Sequence, residues 1–142
     1  MSCFLATSDA DIGRCFAVMV QLRPHLPDAA AFVARARRQM ERDGWRLAFV
    51  RDETGRVAAC CGFRVQECLA TGKTLYVDDL VTDEGCRSAG LGAALLGWVE
   101  KLARAEGCET LSLDSGTQRQ RAHRFYFRMG LPITSFHFAR KL

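Results

Sequence analysis

The sequence predicts an α/β protein with a mixed, mostly antiparallel sheet of about six to seven strands and about four helices. Two patterns support this prediction: segments of alternating apolar residues are interleaved with segments whose apolar residues recur every three or four positions. The order of these segments along the chain is a third observation, because it places a helix between two strands in the second half of the sequence. The strands before and after the third helix should run parallel, because a helical crossover joins them.

Each element is predicted from its own apolar spacing and end signals. Asp9 or Asp11 can cap the first helix, and Thr117 with Gln120 offers a capping box for the last one. The composition of residues 52–55 predicts a hairpin turn. The predicted strands are 3–7, 46–51, 56–66, 73–82, 110–114 and 136–140, and the predicted helices run from 9 or 11 to 23, 28–42, 90–106 and 117–129.

Composition excludes several classes of protein. With 142 residues, of which 49% are hydrophobic and 25% charged, the chain is expected to form one domain spanning 1–142. The first residues, MSCFLATSDAD, contain no basic leader and no long apolar run, which predicts a cytoplasmic protein without membrane contact. The net charge of +4 is mild, so nucleic acid is not an expected partner. The seven cysteines form no CxxC pair, and no metal site is expected.

The segment VTDEGCRSAGLGAALL, residues 81–96, predicts an anion site. A strand ends, an arginine follows and two glycines open a helix. Backbone N–H groups from Ser88 to Gly92 have no intrahelical partners, and the helix dipole adds positive potential. The missing side chains at Gly90 and Gly92 allow phosphate oxygens to approach closely, and Arg87 adds charge at the rim.

Two other phosphate-binding motifs fit this sequence less well. A nucleotide-triphosphate P-loop would need a glycine at position 67, five residues before Gly72-Lys73, but Glu67 is there and no clear helix follows. A dinucleotide fingerprint matches the two glycines of the anion site, but Leu95 occupies the third glycine position. A nicotinamide-dependent oxidoreductase therefore remains an alternative.

The run RSAGLG, residues 87–92, resembles the pyrophosphate-binding signature of the GCN5-related N-acetyltransferases, the GNAT family. The order of elements matches that family across nearly the whole chain, and AHRFYFRMG, residues 122–130, looks like its second signature. The C-terminal half is most similar to aminoalkylphosphonate N-acetyltransferases and uncharacterised relatives. The resemblance implies a GNAT-like fold with a parallel strand pair at the cofactor cleft, and direct transfer of an acetyl group from acetyl-coenzyme A to an amine.

The resemblance also implies a set of cofactor-binding residues and a set of partners. The cofactor-binding residues are Leu80, Val81, Thr82, Arg87, Ser88, Ala89, Gly90, Leu91, Gly92, Ala93, His123 and Tyr126. The acceptor would be a small-molecule amine or a protein amine of unknown identity, and the family's habit suggests a homodimer. A non-catalytic module that binds or senses acetyl-coenzyme A is the alternative function.

The predicted reaction requires a proton acceptor. An alkylamine has a pKa of about 10.4, so only about one molecule in several thousand is the neutral nucleophile at pH 7. Alternation in LYVDDLVT, residues 75–82, places Asp79 on one face with aliphatic residues, where desolvation would make it a stronger base. The resemblance puts Asp79 where many members carry a glutamate that acts directly or through water. Pairing with an arginine, or capping a bulge, is the alternative; Asp78 is assigned to structure or to an acceptor contact.

The leaving thiolate and the carbonyl oxygen also need partners. Tyr126 is the candidate acid, because the resemblance places its hydroxyl next to the coenzyme sulfur, although a plain core tyrosine is the alternative. Main-chain N–H groups of residues 80–82 would stabilise the negative charge that develops on the carbonyl oxygen. His123 is expected to touch the cofactor or the acceptor, or to lie on the surface.

Overall fold

The chain forms one five-stranded sheet with helices on both faces in the computed structural model, which describes residues 2–87 and 89–142. The strands are β1 (Cys3–Leu5), β2 (Arg46–Arg51), β3 (Val57–Cys68), β4 (Gly72–Thr82) and β5 (Thr110–Leu113). The helices are α1 (Asp9–Arg14), α2 (Phe16–Leu22), α3 (Ala29–Asp43), α4 (Leu91–Ala105) and α5 (Gln120–Arg128).

The sheet is mixed, as predicted. The strand order is β1-β2-β3-β4-β5; the first four strands pair antiparallel, and β4 pairs parallel with β5. The predicted hairpin between β2 and β3 is present, because the Asp52 carboxylate accepts hydrogen bonds from the backbone N–H groups of Thr54 and Arg56. The parallel pair is joined through α4, which is the predicted helical crossover.

Two apolar clusters hold the layers together. One face of the sheet packs on α4, where Leu95 and Val99 are fully buried against Leu75 of β4. The other face packs on α1 to α3 through residues such as Ile12 and Phe32. Fully burying one such aliphatic side chain contributes about 1.5–3 kcal/mol, so α4 is anchored firmly beside β4 and β5.

The first predicted helix is two helices. Cys15 ends α1 and also precedes α2. The side chain of Ser8, rather than Asp9 or Asp11, caps α1 by accepting a hydrogen bond from the Asp11 backbone N–H. The chain therefore has five helices in the described ranges, where about four were predicted.

The prediction of six to seven strands is wrong, because residues 131–142 form neither a helix nor a strand. Phe136 and Phe138, in the predicted last strand 136–140, are 81% and 91% exposed. Alternating apolar residues suit a strand, but a strand also needs a neighbour to complete its hydrogen bonds. The neighbouring β5 is short, and the first residue beyond it, Asp114, contacts the side chain of His137 at 3.4 Å.

The predicted capping box of α5 is also absent. The helix begins at Gln120, and its N-cap residue, Arg119, makes no side-chain capping hydrogen bond. Thr117 instead lies in the loop that connects β5 to α5. This loop carries residues that line the candidate site described below.

A β-bulge in β4 overturns the predicted face of Asp79. The register passes from Val77 opposite Phe63 to Asp79 opposite Gly62, so Asp78 is the extra residue. Leu75 and Val77 face the α4 cluster, whereas Val81 packs against the α1 to α3 cluster. Asp79 therefore does not share a face with Leu75 and Val77, because the extra residue reverses the alternation.

Candidate active site

The strands β4 and β5 stop pairing before β4 ends. Their last paired residues are Val77 and Leu113, and β4 continues to Thr82. On the other side of β4, the Asp83 N–H donates to the Ala58 carbonyl oxygen at 2.8 Å. This bond shows which residues of β4 direct their N–H groups toward β3. Because ladder bonds alternate along a strand, the backbone N–H groups of Leu80 and Thr82 point away from β3 and into the gap beside β5.

The N-terminus of α4 lies against the end of β4. Gly90 adopts the left-handed conformation with φ 75°, which favours glycine, and no side chain caps the helix there. A Cβ atom added at Gly92 would lie 3.1 Å from Thr82 Oγ1, so the helix end approaches the strand closely. The first-turn amides of this 15-residue helix create positive potential at that point. The predicted cofactor-binding residue Ser88 lies outside the described residues.

A cavity of about 550 Å³, the larger cavity, opens between β4, the start of α4 and α5. Its volume falls in the range of small-molecule and cofactor sites. Six of the predicted cofactor-binding residues are among its lining residues, namely Leu80, Val81, Thr82, Arg87, Gly92 and Tyr126. Arg119 and Arg121 lie on its α5 side.

A cavity of about 370 Å³, the smaller cavity, adjoins the larger one. It lies between the end of α2, the parting strands β4 and β5, and the loop before α5. Its charged lining residues are Arg23, Asp78, Asp114 and Arg119. Leu80 and Tyr126 line both cavities, so the two spaces meet at these side chains.

Tyr126 is nearly buried, with 9% of its surface exposed. Burial raises the pKa of its phenol above the ordinary value, so the hydroxyl keeps its proton at neutral pH. Phe125 packs edge-on against the ring, with the centroids 5.3 Å apart. A protonated donor is therefore held at the junction of the two cavities.

The two aspartates of the bulge have different surroundings. Asp79 Oδ1 accepts a hydrogen bond from Arg23 Nε at 2.6 Å, and it lines neither cavity. Asp78 lines the smaller cavity, and its Oδ2 accepts from Arg64 Nε at 3.0 Å. Burial raises the pKa of the Asp78 carboxyl. Of the two aspartates, Asp78 is the one that lines the cavity, and the sequence assigns it to structure or to an acceptor contact.

A second carboxylate, Asp114, stands on the β5 side of the smaller cavity. Its Oδ2 accepts a hydrogen bond from the Tyr76 hydroxyl at 2.5 Å and lies 3.4 Å from His137 Nδ1. Burial, followed by the bond to Asp114, raises the pKa of Tyr76, which therefore remains a donor. The Asp114 carboxylate is thus held in place by its neighbours, in a residue that lines the smaller cavity.

The other predicted site residues lie near the cavities without lining them. Ala89, Gly90, Leu91 and Ala93 form the turn and first residues of α4. His123 lines neither cavity, and its Nε2 lies 2.8 Å from the Gly116 carbonyl oxygen in the loop before α5. Sequence reasoning gave no role to Gln21 or Arg23, which line the smaller cavity from the end of α2.

The part of the chain that the structure describes contains neither a metal-binding cluster nor a helix suited to spanning a membrane. Residues 2–87 and 89–142 contain no cluster of three His, Cys, Asp or Glu side chains placed to hold a metal ion. None of the helices in these ranges combines the length and apolar character that crossing a membrane requires.

Comparison with known proteins gives consistent matches. The family model described as Acetyltransferase (GNAT) family matches residues 17–131. The chain is 34% identical over 133 residues to YhdJ, an uncharacterized N-acetyltransferase of Bacillus subtilis (strain 168), covering 93% of this chain and 92% of that protein. An acetyltransferase of Trypanosoma brucei shares the fold with a TM-score of 0.82, 22% identity and 99% of each chain covered. An aminoglycoside N-acetyltransferase in complex with CoA has a TM-score of 0.83 at 13% identity, covering 99% of this chain and 97% of that one.

Proposed function

The chain belongs to the acetyltransferase (GNAT) family and is an N-acetyltransferase, and from that premise we propose that it binds acetyl-coenzyme A in the larger cavity and an amine in the smaller one. The observation that carries this proposal is that the two cavities meet at Leu80 and Tyr126, where β4 and β5 stop pairing. An acyl donor and an acceptor held on the two sides would react at this junction.

The larger cavity suits a coenzyme that carries a diphosphate. The first turn of α4 has no side-chain cap, so its amides can donate to phosphate oxygens, and Arg87 adds a positive charge. The structural neighbour in complex with CoA supports the same kind of ligand here. The thioester of the coenzyme supplies the activated acetyl group: the acceptor nitrogen forms a C–N bond to its carbonyl carbon while the C–S bond breaks.

The residues at the junction assist this transfer in three ways. The outward N–H groups of Leu80 and Thr82 are placed to stabilise negative charge on the carbonyl oxygen, and Val81, whose N–H points to β3, contributes to the cavity wall. Tyr126 donates its proton to the leaving thiolate. A carboxylate of the bulge accepts the proton that the amine loses, either directly or through water.

Asp78 is the better placed of the two carboxylates. It reaches the smaller cavity, and its raised pKa makes it a stronger base than an ordinary aspartate. The sequence had favoured Asp79, whose side chain is bonded to Arg23 and would need a water relay. We keep the role of Asp79 as a competing prediction, and paired variants at the two positions separate the two roles.

Four narrower predictions from the sequence are still to be tested. They are the particular similarity of the C-terminal half to aminoalkylphosphonate N-acetyltransferases, the single domain, the homodimer and the cytoplasmic location. The exposed phenylalanines of residues 131–142 are compatible with a homodimer, since exposed apolar side chains mark contact surfaces. Sedimentation of the purified chain tests that prediction.

The experiment that tests the proposed function is a thiol-release screen. Acetyl-coenzyme A is incubated with the full chain and a diverse amine library, and free thiol and acetylated product are measured. We expect acetylation of at least one amine, and calorimetry should show that acetyl-coenzyme A binds without an acceptor. Tight binding without turnover across the library would support the non-catalytic alternative instead.

A further inference from the structure

The smaller cavity contains charges of both signs, and most of them already have partners within the protein. Arg23 is bonded to Asp79 and to the Asp78 carbonyl oxygen, the latter at 3.0 Å. The Asp78 carboxylate is bonded to Arg64, and Asp114 accepts from a tyrosine hydroxyl. Arg23 and Asp78 therefore meet an incoming substrate with their charge balanced, whereas the neutral tyrosine hydroxyl leaves the negative charge of Asp114 in place.

Arg119 differs from the other charged groups of this cavity. It forms no ion pair with any residue in the described ranges 2–87 and 89–142. It lines both cavities, as Tyr126 does. Among the charged residues that line the smaller cavity, Arg119 is therefore the cation without a carboxylate partner in the described ranges, and Asp114 is the anion without an arginine or lysine partner there.

The loop that carries Arg119 is held in a defined shape. The Arg119 backbone N–H donates to the Gly116 carbonyl oxygen at 3.0 Å, and His123 contacts the same oxygen. The amide group of Gln118 packs over Gly116 so closely that a Cβ there would lie 2.6 Å from Gln118 Oε1. Gln118 and Arg119 are thus presented together at the cavity wall, which both of them line.

A guanidinium binds carboxylates and phosphonates through paired N–H donors, and a neighbouring amide adds another donor. We infer that the acceptor is a small zwitterionic amine, whose anionic group is bound by Arg119 and Gln118 while its amine faces Asp78 and Asp114. The cavity of about 370 Å³ suits a molecule of this size. A second ammonium group at the Arg119 end would be repelled.

This inference rests on the proposed function, and it deepens that function by naming the class of acceptor. Because Arg119 lines both cavities, the guanidinium could serve the coenzyme instead. The two roles predict different changes, one in the selectivity among acceptors and the other in the affinity for acetyl-coenzyme A. A matched set of amines and arginine variants therefore distinguishes them.

The test compares four amines of similar size with acetyl-coenzyme A and the full chain: β-alanine, aminomethylphosphonate, propylamine and ethylenediamine. We expect kcat/KM for β-alanine or aminomethylphosphonate to exceed that for propylamine by about tenfold or more, since a charge-assisted bidentate contact is among the stronger polar interactions. Ethylenediamine should be the poorest substrate. The ratio between the two anionic amines shows whether carboxylate or phosphonate fits better.

The variant Arg119→Gln should reduce the preference for the anionic amine by about tenfold while the Kd of acetyl-coenzyme A changes little. Arg121→Gln alters a residue of the larger cavity only, so it should change that Kd and leave the preference intact. Arg124→Gln, on the same helix but lining neither cavity, is the control that should change neither quantity.

Three results would overturn the inference while leaving the transferase assignment intact. One is equal or better turnover of propylamine and ethylenediamine. Another is an Arg119→Gln variant that loses acetyl-coenzyme A affinity but keeps its acceptor preference. The third is that neither β-alanine nor aminomethylphosphonate binds to the chain saturated with coenzyme A. Failure of acetyl-coenzyme A itself to bind would instead contradict the proposed function.

Discussion

The larger and the smaller cavity meet at Tyr126 but are built from different groups. The larger one combines backbone groups, at the uncapped start of α4 and along β4 beyond Val77, with arginine side chains. The smaller one presents side chains, and its carboxylates are already bonded to an arginine or a tyrosine. Backbone groups can bind the same coenzyme in chains of different sequence, whereas side-chain pairs can differ with each acceptor.

The proposed transfer takes place where the two cavities join. Tyr126 and Leu80 belong to both cavities, while Asp78 belongs only to the smaller and Gly92 only to the larger. Substitutions at these positions should therefore affect transfer, acceptor activation and coenzyme binding separately.

Replacing Tyr126 by Phe should have the largest effect on turnover. The variant keeps the buried ring but loses the proton donor, so we expect kcat to fall by about a hundredfold or more. The Kd of acetyl-coenzyme A should stay within about threefold of the original, because the ring still fills the junction. Steady-state kinetics and calorimetry check the two quantities. A turnover number that survives the substitution would show that the hydroxyl is only part of the core.

Replacing Asp78 by Asn should lower kcat by about tenfold to a hundredfold, because the amide cannot accept the proton that the amine loses. Burial raises the pKa of Asp78, so in the parent chain kcat should fall as the pH is lowered through a value above the ordinary aspartate range. The carboxyl becomes protonated in that window and can no longer accept a proton. In the variant, a pH profile of kcat at saturating acceptor should lack that limb.

Asp79→Asn is the matched comparison for this prediction. The substitution weakens the bond to Arg23, whose side chain is 43% exposed, so solvent limits the loss in stability to about 1 kcal/mol. We expect its kcat to change less than that of Asp78→Asn and its acid limb to persist. If the limb disappears only when Asp79 is replaced, the relay through Asp79 that the sequence predicted is the correct mechanism.

Replacing Gly92 by Ala should weaken acetyl-coenzyme A binding by about tenfold, because a methyl group occupies the approach to the first-turn amides of α4. The new Cβ would lie 3.1 Å from Thr82 Oγ1, whereas one at Gly97 of the same helix meets nothing within 4 Å. Gly97→Ala is therefore the control, and it should leave the Kd unchanged while slightly stabilising the helix. Equal Kd values for the two variants would show that the start of α4 does not bind the phosphates of the coenzyme.

Much of the fold could be predicted from periodicity. The helical spacing of α4 and the turn at Asp52 specify local structure that does not depend on distant partners. The outcome for residues 136–140 could not be predicted in this way, because Phe136 and Phe138 alternate correctly but the edge strand β5 beside them is short. Local pattern indicates what a segment can become, and tertiary pairing decides whether it does.

In the candidate site, too, features encoded in neighbouring residues could be predicted, whereas features that depend on distant residues could not. The turn before α4 could be predicted because its glycines lie close together in sequence, and Gly90 adopts the left-handed conformation there; the phosphate-binding role of Gly90 and Gly92 stays a prediction. A bulge was predicted only as an alternative, capped by Asp79, and its position at Asp78 was missed, although two adjacent aspartates in an aliphatic strand are a signal that could have been used. Arg23 was missed because its partner, Asp79, is 56 residues away in the chain.

The smallest expected effect belongs to His123. Its contact with the Gly116 carbonyl oxygen ties α5 to the loop that lines both cavities. His123→Ala should therefore raise the KM of acceptor and coenzyme together by about twofold to threefold, with about 1 kcal/mol lost from the free energy of unfolding. Arg124→Ala, the next residue of the helix, serves as the control. An effect confined to the affinity for acetyl-coenzyme A would instead place His123 against the coenzyme, as the sequence predicted.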